Sequence, residues 1–109
     1  MPLAPKSVSK RMPRPGRAEF EEWERQCAAL RASVEAGDRP EFVARATADG
    51  AFWYVEVDGV PRLGLQPVAF TQARSLEEIE PMARDVTATV LDIPPECFDL
   101  RVAIGQEEA

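Results

Sequence analysis

Side chains able to do chemistry are few in this sequence, and most of them are carboxylates. It holds 19 Asp+Glu, two cysteines and no histidine. A Ser-His-Asp or Cys-His nucleophile pair, an imidazole acid or base and a Cys/His zinc site are therefore excluded. Glu56 and Asp58 stand two residues apart in a stretch of strand periodicity, so in a regular strand they share the polar face. Such a pair could approach a divalent cation, but a site of that kind recruits further oxygen ligands, and the pair reads as a solvated face. Ser75 has no base near it in sequence and reads as a helix cap. Cys27 falls on an apolar helical stripe and Cys97 at the start of a strand, so both read as packing residues of a reducing compartment. Gly59 and Gly64 have no lysine following at phosphate-loop spacing. No catalytic residue, metal or cofactor is expected, and the chain reads as a non-enzyme.

What remains is chemistry of contact. Phe52, Tyr54 and Glu56 alternate onto one side of a strand, where two aromatics beside a carboxylate would make a protein-binding patch. That patch could instead be covered by a preceding helix carrying Phe20 and Trp23, and these two residues are themselves candidates for partner contact. Lys6, Lys10, Arg11, Arg14 and Arg17 give residues 1–17 a charge of +5, whereas the remainder sums to −11, for the net −6 of the chain. A basic stretch of this kind can neutralise phosphates without reading sequence, or it can lie on its own acidic domain.

The elements that must position these groups fall into three pieces. Residues 1–17 contain Pro2, Pro5, Pro13 and Pro15 and read as an extended or disordered tail. Phe20, Trp23, Cys27, Leu30 and Val34, spaced 3, 4, 3 and 4, predict an amphipathic helix over about 18–37, with Gly37 as its C-terminal cap. Its stripe must bury itself on its own domain, on a second copy or on a partner. From residue 38 onward the period drops to two: a strand over 41–48, a turn at Asp49-Gly50, a strand over 51–58 and a third over about 68–73.

Ser75 and Glu78 predict a capping box. The helix that follows carries Leu76, Ile79, Ala83, Val86, Val90 and Ile93 on its apolar face. Pro81 should kink it or mark its true start, and Pro94-Pro95 end it. Phe98 to Ile104 alternate as a last strand, able to return parallel to an earlier one. The fold class is α+β: an N-terminal helix, then β-β-β-α-β, an antiparallel meander covered by one helix. No apolar run reaches the roughly 20 residues that span a bilayer, and no signal-peptide core follows the basic start. The expected location is the cytoplasm.

Several strings carry a family likeness: Phe52-Trp-Tyr-Val-Glu-Val-Asp-Gly59, Thr71-Gln-Ala-Arg-Ser-Leu-Glu-Glu-Ile-Glu80, Met82-Ala-Arg-Asp85, Val90-Leu-Asp-Ile-Pro-Pro95 and Phe98-Asp-Leu100. Over about residues 41–105 the chain resembles the HicB-like antitoxin family, most specifically in Thr71-Gln-Ala-Arg74 leading into Met82-Ala-Arg-Asp85. The resemblance implies a partial RNase H-like domain that binds and neutralises a small HicA-like mRNA-cleaving toxin. An acidic balance of −8 over residues 37–109 suits a basic toxin face. The chain departs from the family in its long loop from Asp58 to Pro67, in Pro81, in residues 1–40, and in the few residues after Gly105, too short for a DNA-binding domain. The alternative reading is a nucleic-acid-binding regulator that uses the basic tail. A domain of this size buries little surface, so a homodimer is also expected, with the N-terminal helix stripe as a candidate seam.

Overall fold

The computed structural model describes residues 15–105. Helix α1 spans Arg17–Glu35, strands β1 and β2 span Glu41–Asp49 and Phe52–Asp58, β3 spans Phe70–Ala73, helix α2 spans Leu76–Leu91 and β4 spans Asp99–Ile104. The fold is α+β, with two helices on one four-stranded mixed sheet of order β3-β2-β1-β4. Strands β1, β2 and β3 form the expected antiparallel meander, and β4 returns beside β1 and parallel to it. Lys6, Lys10, Arg11 and Arg14 lie outside the described residues, and Arg17, assigned to the tail in sequence, is the first residue of α1.

Strand alternation divides the sheet cleanly. Phe42, Ala44, Ala46, Val55, Val57 and Ala73 are buried against the helical layer, and Phe98 joins them at the foot of β4. Phe42 and Phe98 meet edge to face at 5.4 Å between ring centres, and the Arg84 guanidinium stands 5.2 Å from the Phe98 ring centre. The stripe on α1 serves this same core. Cys27 is buried in it, while Trp23, Leu30 and Val34 pack against it. Arg31 of α1 donates to the Leu91 carbonyl at the end of α2. Helix α2 covers the sheet, packing against all four strands as expected, and α1 packs beside α2 with most of its stripe turned inward on its own domain.

Helix α1 ends as its glycine dictates. Gly37 has φ +105°, its N–H reaches the Val34 carbonyl at 3.0 Å and that of Asp38 reaches Ser33 at 3.0 Å. This is the paired closure that an αL residue makes possible.

Helix α2 departs from its sequence reading in three respects. It is continuous from Leu76 through Pro81, so Pro81 is not its start. The buried stripe runs through Ile79, Ala83, Thr87 and Leu91, with Leu76 exposed and Val86 and Val90 half-buried. Thr87, polar and hidden from the sequence pattern, is tolerated because its hydroxyl donates to the Ala83 carbonyl at 2.8 Å. The capping box does not form. Ser75 occupies the cap position without a side-chain bond, and the Glu78 carboxylate accepts the Arg74 N–H at 2.9 Å instead. The helix closes on Asp92 in the αL conformation, before the two prolines.

The hairpin turn falls at Gly50-Ala51, one residue later than expected, since Asp49 pairs with Phe52. Gly59, after β2, has φ +103°, and a Cβ there would stand 2.8 Å from Phe42 Cδ1. Gly59→Ala combines that overlap with backbone strain. It is expected to cost about 2 kcal/mol or more in a denaturant melt.

Candidate functional site

The side of the sheet turned away from the helices is uncovered among the described residues. By register it presents Phe52, Tyr54, Glu56 and Asp58 from β2, Phe70 and Gln72 from β3, Val43, Arg45 and Thr47 from β1, and Arg101 and Ala103 from β4. Phe52 is 42% exposed and Phe70 47%. Tyr54 is half-buried between them, its ring centre 6.2 Å from that of Phe70. Beside Phe52, the residues Gln72, Arg74, Glu78 and Met82 line a shallow depression of about 380 Å³. This rim is polar apart from Phe52 and Met82 and borders the aromatic surface at the β3 edge. The face could not have been covered by α1, because that helix lies on the opposite side of the sheet.

Cross-strand geometry neutralises the charges on this face. Arg45 grips Asp58 with two nitrogens, Nε to Oδ2 at 2.6 Å and Nη2 to Oδ1 at 3.1 Å. Its Nη2 also stands 3.9 Å from Glu56 Oε2. Arg62, from the loop after β2, reaches back to donate to the same Glu56 oxygen at 2.5 Å and also to the Leu65 carbonyl. Glu56 and Asp58 thus share a face as expected, but each carboxylate is engaged by a guanidinium. No group of three or more His, Cys, Asp or Glu among the described residues is placed to hold a metal ion. Burial raises the Tyr54 phenol above its usual value, with the Glu56 charge adding to the shift, so the ring carries a neutral hydroxyl.

The Arg45 hydrogen bond holds Asp58 below the usual aspartate value. A lowered folded value means stability that is complete above the unfolded value and is lost as pH falls through the folded one. The stability lost on Arg45→Met is expected to stay within about 1 kcal/mol, since the pair is partly exposed. That difference should hold constant above about pH 5 and vanish in stronger acid. Urea melts of both proteins across pH check this.

The remaining sequence candidates do not join this face. Trp23 packs against the core and its Nε1 donates to the Pro61 carbonyl at 3.1 Å, anchoring the loop from which Arg62 extends. Phe20, 48% exposed, stacks obliquely on Trp23 at 5.8 Å. Cys27 and Cys97 are both free, and burial pushes the Cys27 thiol up, away from reactivity. Sequence reasoning missed Phe70, Val43 and Arg62. Phe70 was within reach, because the parity of β3 puts it beside Tyr54, whereas the return of Arg62 depends on a loop whose path no period encodes.

No protein-family model, curated protein or solved structure matches the chain. No helix among the described residues is long and apolar enough to cross a membrane.

Proposed function

We propose that the chain is a non-enzymatic antitoxin that binds and neutralises a small, basic, HicA-like ribonuclease through the uncovered sheet face. The observation that carries this reading is the face itself: exposed Phe52 and Phe70 flank the half-buried Tyr54 around an ion-paired set of Arg45, Glu56, Asp58 and Arg62. Exposed aromatics rimmed by polar groups are the composition of recognition surfaces. Carboxylates already held by arginines in the free protein cost little further ordering on binding. The acidic balance of residues 37–109 supports attraction to a basic partner. The strand order β3-β2-β1-β4, with β1 parallel to β4, supports the finer reading of a partial RNase H-like domain.

Co-expression with the small gene adjacent to its own tests the proposal. Growth arrest by that gene product alone, relieved by this chain, is the expected outcome, and arrest that the chain leaves untouched would overturn it. Nucleic acid co-purifying with the chain and lost on deletion of residues 1–17 would favour the regulator reading instead.

A further inference from the structure

Among the described residues, strand β4 is the outer strand of the sheet, bonded on one side only. The N–H groups of Asp99 and Gly105 bond to Pro40 and Ala46 across β1. With strand alternation, the odd-numbered residues of β4 face β1 and the N–H and C=O groups of Leu100, Val102 and Ile104 face outward. Sheet edges are ordinarily blunted by proline, charged side chains, a bulge or extreme shortness. Residues 99–104, Asp-Leu-Arg-Val-Ala-Ile, form a regular six-residue edge without proline or bulge, and its two charges, Asp99 and Arg101, are paired with Arg39 and Glu41 within the chain. On the helix side the same three residues form an incompletely covered apolar row: Leu100 and Val102 are half-buried and Ile104 is 43% exposed.

We propose that this edge pairs antiparallel with the β4 edge of a second copy, forming a two-fold dimer with one continuous sheet. The sequence of the edge narrows the register. Placing Arg101 on the axis would set two arginines face to face, which antiparallel pairs disfavour. A register shifted toward Phe98 is obstructed, because Arg84 and Arg39 both donate to the Phe98 carbonyl. Placing Val102 on the axis leaves neither conflict. Leu100 then faces Ile104 of the second copy, Arg101 faces Ala103, and the outward backbone groups of Leu100 to Ile104 find partners.

The apolar row becomes continuous across the two copies. A second copy is favoured over an unrelated strand because the row is its own complement and Arg101 is the only charge within residues 100–104. The alternative pairing, β4 onto the four-residue β3 of another copy, is head-to-tail and would propagate rather than close.

Sedimentation of the full chain across a concentration series tests the dimer. A mass of about 24 kDa, twice the 12.1 kDa of one chain, is expected, falling to 12.1 kDa on dilution. Val102→Pro removes an outward N–H that β1 does not use, an edge position where proline is tolerated. It is expected to weaken the dimer tenfold or more with an unchanged circular dichroism spectrum. Ala103→Glu sets a carboxylate opposite Arg101 of the second copy, twice per dimer. It is expected to tighten association about fivefold at low salt, a gain that salt erases and that does not depend on how Val102→Pro folds. A monomer at every concentration would overturn the proposal, as would a dimer whose affinity neither substitution changes.

Discussion

Tyr54→Ala is expected to weaken binding of the proposed ribonuclease toxin by a factor of 30 or more, about 2 kcal/mol or above, the loss typical of a central aromatic anchor. Tyr54 lies between Phe52 and Glu56 along β2 and against the Phe70 ring of β3, so its removal leaves a gap in the middle of the uncovered face. The fold itself should lose much less, because the tyrosine is only half-buried and points away from the core. Phe20→Ala is the informative control. Phe20 is more exposed than Tyr54 but lies on α1, so its variant is expected to bind within about threefold of the parent, given that most interface truncations away from the anchors are near neutral. Calorimetric titration of both variants separates the two surfaces. Equal losses from both would place the contact on the helical side instead.

Phe98→Ala is expected to destabilise the protein by about 3–5 kcal/mol, a large share of the total stability of order 5–15 kcal/mol that such domains have. The ring is fully buried, meets Phe42 edge to face and lies under the Arg84 guanidinium. Its truncation therefore leaves a cavity where the end of α2, the start of β4 and β1 converge. Arg84 also donates to the Pro95 and Phe98 carbonyls, at 2.7 and 3.1 Å, tying the α2–β4 connection to the helix. Part of that arrangement relaxes when the ring is lost. The midpoint of urea unfolding measures the effect. A loss below about 1 kcal/mol, the range of typical surface substitutions, would mean that this corner is not the centre of the core.

The layering was legible in sequence wherever one period governed a long stretch. Trp23, Cys27, Leu30 and Val34 announced a buried helical face, and the alternation of Trp53, Val55 and Val57 against Phe52, Tyr54 and Glu56 assigned the two sides of the sheet correctly. What stayed hidden depended on tertiary context. Pro81 sits inside α2 because packing of Ile79, Ala83 and Leu91 on the sheet outweighs the hydrogen bond it deletes. Thr87 enters the core because its hydroxyl finds a carbonyl one turn back, which an apolar count does not register. Whether α1 covered the aromatic face or the opposite one could not be decided from its stripe alone, since a stripe tells what must be buried and not against which side. Of the candidate site, the β2 residues were readable. The contribution of Arg62 was not, because it rests on the anchoring of its loop by Trp23.

The most direct test is to titrate the purified chain into an RNA-cleavage assay of the proposed toxin, the product of the small gene adjacent to its own. Cleavage is expected to fall in proportion to added chain and to stop at a fixed stoichiometric ratio, with Tyr54→Ala shifting the curve far to the right. Cleavage that proceeds unchanged in an excess of the folded chain would contradict the proposed function.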